Sequence, residues 1–114
     1  MLAKTYAAAV HGVDARIIEV EVNSGGEAVQ GQPMYFLVGL PDIAIREGWQ
    51  RMEAAVKNIG YRMPRCKIVA NLAPADIRKE GSLYDLPIAT AIAASTGMIS
   101  HEKLHQHMLV GELS

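Results

Sequence analysis

Asn71, Asp76, Arg78, Lys79, Glu80, Ser82 and Asp85 crowd into one stretch, Asn71-Leu-Ala-Pro-Ala-Asp-Ile-Arg-Lys-Glu-Gly81, continued by Ser82-Leu-Tyr-Asp-Leu-Pro-Ile-Ala-Thr90. Three kinds of chemistry could use these residue types. The carboxylates Asp76, Glu80 and Asp85 could exchange protons as general acid and base. Ser82 could act as a hydroxyl nucleophile. Arg78 and Lys79 could hold an anion or an acidic partner surface. Each also has a simpler assignment. Asp76 and Glu80 would pair with Arg78 and Lys79, and Asp85 would cap the helix that follows by accepting its free amide hydrogens. Asn71 sits at a strand end and Pro74 stiffens the turn, so the loop reads equally as a binding element and as a clamp on that helix.

The charge distribution is uneven along the chain. Eight of the eleven basic residues lie between positions 46 and 79 against only Glu47, Glu53 and Asp76, a net of +5. The first 42 residues carry Lys4 and Arg16 against five carboxylates. Such a gradient can mark a surface facing an anion or a nucleic acid. Arg78 and Lys79 are the leading candidates for DNA or partner contact, with Arg65, Lys67 and Asn71 beside them. The simpler assignment is solvated faces of one helix and one strand, because no aromatic residue is interleaved with these charges for base stacking.

Other chemistry finds little support. No G-x-x-x-x-G-K-[ST] loop is present to wrap amides around a phosphate, and Gly25-Gly26 and Gly39 read as turn glycines. His101, His105 and His107 do not form an H-E-x-x-H pattern, so a surface role is expected in place of a metal site. Cys66 falls on an apolar strand face, where a small core residue is expected.

The elements that must position these residues follow from periodicity. Residues 4–11 are small and apolar, His11-Gly-Val-Asp14 reads as a tight turn, and Ile18, Val20 and Val22 alternate with Glu19 and Glu21. Together they predict a hairpin. Asn23 to Glu27 and Gly31-Gln-Pro33 bracket an expected loop. Met34 to Leu40 is expected to be a strand covered on both faces. Asp42 is placed to cap a helix whose stripe is Ile45, Trp49, Met52, Val56 and Ile59, with Gly60 ending it. Gly48 inside that helix costs about 1 kcal/mol relative to Ala, which predicts a close backbone approach. A fourth strand spans Arg65 to Leu72. An alanine-rich helix runs from Asp85, with Pro87 in its first turn, to about Ser95, and Gly97 ends it. Leu109-Val-Gly begins a further strand. The whole is one α/β domain of strands with two packed helices.

At 114 residues, half of them hydrophobic and with a net charge of −1, the chain has an ordinary globular composition and can bury roughly two-thirds of its unfolded surface. No apolar run approaches the roughly 20 residues that cross a bilayer. The start of the chain does not read as a signal peptide. A single cysteine suits a reducing compartment, so a cytoplasmic location is expected.

The 71–90 stretch resembles the signature of the ComM/YifB family of magnesium-chelatase-like ATPases. Met1-Leu-Ala-Lys-Thr-Tyr6, Phe36-Leu-Val-Gly-Leu-Pro-Asp42 and Val110-Gly-Glu-Leu-Ser114 extend the resemblance to both ends. It implies that residues 1–114 are a single amino-terminal domain cut from a larger protein, with an AAA+ ATPase module after residue 114. The implied fold is a two-layer α+β sandwich similar to the proteolytic domain of Lon and the C-terminal domain of RadA, with a left-handed βαβ crossover. For the whole protein it implies ATP and Mg, no cofactor in this domain, a hexameric ring, and a motor driving DNA branch migration in natural transformation. Set beside Lon, Lys79-Glu-Gly81 and Thr90-Ala91 match its K-D-G and T-A, which places Leu83 at the nucleophile and Ser82 one residue early. Leucine carries no nucleophile, so the domain is expected to be non-catalytic. The rivals are a residual peptidase using Ser82, a chelatase-type remodelling subunit, and a plain oligomerisation module.

Overall fold

The computed structural model describes residues 1–26 and 34–114. The opening hairpin is present: β1 (Leu2–His11) pairs antiparallel with β2 (Asp14–Gly25), His11 opposite Asp14 across a turn where Gly12 has φ 62°. β2 extends to Gly25, through part of the stretch expected as loop. The remainder of that expected loop, Glu27 to Pro33, lies outside the described residues.

β3 (Met34–Val38), α1 (Ile43–Asn58) and β4 (Lys67–Ala73) form a strand–helix–strand unit whose strands are parallel neighbours. β4 also pairs antiparallel with β2, so the sheet order is β1-β2-β4-β3. α2 (Asp85–Ser95) packs over β1 and β2 and touches α1. The chain is therefore a mixed α/β protein in which a four-stranded sheet and two helices make a two-layer α+β sandwich.

Alternation explains the core. Ile18, Val20, Val22, Ile68, Ala70 and Leu72 are buried on one sheet face and meet Ile45 and Met52 of α1 and Ile88, Ala91 and Ile92 of α2. Thr5 shares this face because its hydroxyl donates to the Pro87 carbonyl at 2.8 Å, which supplies the partner that a buried hydroxyl requires. The small residues of α2 let it approach the sheet closely. Both helices end as expected: Tyr61 N–H bonds Val56 O after Gly60 (φ 88°), and Met98 N–H bonds Ala93 O after Gly97 (φ 79°).

Three expectations require correction. β3 is an edge strand covered on one face only; Tyr35 and Leu37 pack on the core while Phe36 and Val38 are exposed, because its apolar run alternates between a covered and an open side. Ile59 is the C-cap one residue past the end of α1 and is exposed, because its non-helical backbone (φ −100°, ψ 13°) takes it off the helical stripe. Leu109-Val-Gly forms no strand. Leu109 N–H bonds Tyr6 O, but Gly111 turns away to bond the Leu83 carbonyl and the Leu86 amide beside α2.

Candidate functional site

The charged loop after β4 folds inward around Lys79. Its side chain is fully buried, and its ammonium donates to the carbonyls of Gly39 (2.8 Å), Leu72 (2.9 Å) and Pro74. A buried cation is tolerable only with such partners, and three carbonyls match its three N–H donors. Burial pushes the Lys79 ammonium below its ordinary pKa, with the Asp76 charge opposing. The backbone repeats the tie: Lys79 N–H bonds Leu40 O and Asp42 N–H bonds Lys79 O.

Asp42 completes the clamp. One carboxylate oxygen accepts from Ile45 N–H at 2.9 Å, capping α1 as expected, and the other accepts from Gly81 N–H at 3.0 Å. Gly39 (φ 113°) permits the close passage of two strand ends; a Cβ there would lie 2.1 Å from the Leu72 carbonyl oxygen. The loop is thus a structural clamp joining the ends of β3 and β4 to the start of α1.

This geometry corrects the expected contact set. Lys79 is removed from it, because an ammonium enclosed by carbonyls cannot reach a phosphate or a partner surface. Its predicted pairing with a neighbouring carboxylate is replaced by the carbonyl cage. Arg78 remains on the surface, 70% exposed, and pairs with Glu80 at 3.2 Å. Arg65, Lys67 and Asn71 are exposed.

Asp85 does not cap its helix either. A 3₁₀ turn over Ser82–Tyr84 leads directly into α2, so the carboxylate is free to turn inward. There it accepts from Arg51 Nε at 2.6 Å, from a second Arg51 nitrogen at 3.0 Å, and from Leu113 N–H at 3.2 Å. This pair explains Gly48: a Cβ at that position would sit 2.6 Å from Asp85 Oδ1, the close approach that a glycine inside a helix predicts. The Arg51–Asp85 pair itself was not readable, because its members lie far apart in the chain.

Ser82 is poorly equipped as a nucleophile. Its hydroxyl donates to the Glu112 carboxylate, and Lys79 is committed to its carbonyls and cannot serve as its base. Leu83, at the position matched to the Lon nucleophile, is an exposed apolar side chain. Among the described residues no three His, Cys, Asp or Glu side chains could hold a metal ion, and no helix is long and apolar enough to cross a membrane. His101, His105 and His107 are exposed, and Cys66 is half-buried against the core.

Two buried phenols carry a pH signature. Among the described residues neither Tyr35 Oη nor Tyr84 Oη finds a hydrogen-bond partner. Tyr35 stacks on Trp49 with ring centroids 4.7 Å apart. Burial raises both phenol pKa values, and the charges of Asp85 near Tyr35 and Asp42 near Tyr84 raise them further. A folded-state pKa above the unfolded value of about 10 gives stability that is complete below that pH and lost as pH climbs through the folded value. Spectrophotometric titration is therefore expected to show two of the four tyrosines ionising late, together with alkaline loss of structure. Full ionisation at the ordinary phenol pH with the fold intact would contradict this.

The sheet face turned away from the helices holds what sequence spacing missed. Register places Lys67, Val69 and Asn71 of β4 beside Met34, Phe36 and Val38 of β3 on that face. Lys67 Nζ lies 5.6 Å from the centroid of the Phe36 ring. An aromatic residue thus adjoins the basic strand, supplied by a neighbouring strand.

The family described as Subunit ChlI of Mg-chelatase matches residues 18–114. The chain is 45% identical to YifB of Escherichia coli over 90% of its length and 20% of that protein's. It is 42% identical to YifB of Salmonella typhimurium, over 99% of the chain and 22% of the relative. It is 38% identical to the competence protein ComM of Haemophilus influenzae, over 99% of the chain and 21% of the relative. The chain spans about a fifth of the length of these curated relatives. It belongs to the Mg-chelatase-subunit ChlI family and is a member of its ComM/YifB type.

Proposed function

We propose that residues 1–114 act as a non-catalytic, Lon-like amino-terminal domain of a magnesium-chelatase-like AAA+ ATPase, aiding ring assembly and DNA contact in a cytoplasmic motor for branch migration. The observation that carries this reading is the match of nearly the whole chain to YifB and to a protein named for competence, over only a fifth of their length. ATP and Mg would be bound by the remainder of the longer protein, in keeping with a sequence that carries no G-x-x-x-x-G-K-[ST] phosphate loop. The clamp supports a scaffold role, because it commits Lys79, Asp42 and Gly39 to holding elements together. The exposed cations Arg65, Lys67 and Arg78, with Asn71, are left for contact with DNA or with neighbouring subunits.

ATP hydrolysis by the full-length protein, with and without forked DNA, tests the reading. Stimulation by the fork is expected. Hydrolysis indifferent to DNA would favour a chelatase-type remodelling role, which the family description also supports, and absence of hydrolysis would overturn the motor assignment.

A further inference from the structure

We infer that the β3–β4 half of the open sheet face binds single-stranded nucleic acid, with Phe36 as the stacking platform and Lys67 and Asn71 flanking it. This inference rests on the DNA-contact reading above and names where, and on what form of nucleic acid, the contact is made.

Phe36 is 46% exposed on a strand whose other aromatic, Tyr35, is turned into the core. Its neighbours suit a polynucleotide. Lys67 holds a cation beside the ring edge or face, at a separation that leaves both exposed. Val38, half exposed, lies opposite Asn71, whose amide can donate to and accept from a base edge. Lys67 to Asn71 covers about 13 Å at ~3.3 Å per residue, room for about two or three bases, as four-stranded RNA-binding sheets accommodate. Arg65 extends the positive charge just before β4.

The same face sets the boundary. Glu19 and Glu21 of β2 point to this side, Glu21 opposite Asn71 and Glu19 paired with Lys4 at 3.6 Å. The Glu21 carboxylate disfavours a phosphate chain on the β2 side of Asn71, while the charge of Glu19 is offset by Lys4. Duplex DNA keeps its bases stacked internally and cannot use an exposed ring, whereas unpaired bases can, and aromatic stacking tolerates any base.

Fluorescence anisotropy of a short labelled oligothymidylate titrated with residues 1–114 tests the site, with the matching duplex and polyglutamate as competitors. Phe36→Ala is expected to weaken binding about 5- to 150-fold, and Phe36→Tyr to restore it. Lys67→Glu is expected to weaken binding and reduce its salt dependence. All three side-chain changes are at exposed positions, and circular dichroism will confirm folding. Wild-type affinity in Phe36→Ala and Lys67→Glu would overturn this site while leaving DNA contact by Arg78 or by the longer protein intact. Equal affinity for duplex, or displacement by polyglutamate matching that by oligothymidylate, would overturn the single-strand assignment. No binding by the wild type, with fork-stimulated hydrolysis by the full-length protein, would overturn the site alone; loss of both would sink the reading it rests on.

Discussion

Lys79→Met is expected to lower folding stability by about 3 kcal/mol or more, because each charge-assisted hydrogen bond to a buried acceptor is worth about 1.5–3 kcal/mol and the contributions are not fully additive. Methionine fills similar space but leaves the carbonyls of Gly39, Leu72 and Pro74 without their donor. The loss is a large share of the roughly 5–15 kcal/mol that holds a typical domain together. Chemical denaturation with an unchanged slope and a lowered midpoint is the expected signature. Charge reversal at Lys79 would act through the same collapse, so weakened DNA binding in such a variant would say nothing about phosphate contact. Arg78 is the member of that dipeptide whose charge can be reversed without disturbing the fold.

Gly39→Ala is expected to be comparably damaging by a different route. Its φ of 113° lies where a side chain costs on the order of 1–3 kcal/mol. The added Cβ would also fall 2.1 Å from the Leu72 carbonyl oxygen, a backbone atom with little freedom to withdraw. Relief requires moving β3's end away from β4, which opens the cage around Lys79, since Gly39 and Leu72 supply two of its carbonyls. A midpoint within error of wild type would show that the strand ends tolerate separation and that the clamp is loose. Combined with Lys79→Met, the two losses are expected to be less than additive, because both release the same contact.

Much of this fold was legible because it depends on local patterns. Alternation in β2, the stripe on α1, the Asp42 cap and the terminal glycines Gly60 and Gly97 each rest on residues near one another in sequence. Gly48 was informative for the same reason: its oddness inside a helix announced a neighbour, although the neighbour's identity was hidden. What could not be read depends on tertiary placement. Hydropathy assigns a lysine to solvent, and nothing in Arg78-Lys79-Glu80 says that three carbonyls from separate segments will enclose the middle residue. Asp85 looked like a cap because cap chemistry is local, whereas its partner Arg51 lies on another helix. Phe36 seemed remote from the basic strand until the parallel pairing of β3 with β4 set it near Lys67. Of the residues expected to make contact, Lys79 is enclosed while Arg65, Lys67, Asn71 and Arg78 stay exposed.

Within the loop after β4, Lys79 is an internal fastener, whereas Arg78 beside it and Lys67 on β4 stay exposed. Urea unfolding of Lys79→Met beside Lys67→Met tests this most directly, since the same substitution is made at a caged lysine and at an exposed one. A midpoint close to wild type is expected for Lys67→Met and a much lower one for Lys79→Met. Equal midpoints, or the larger loss at Lys67, would contradict it.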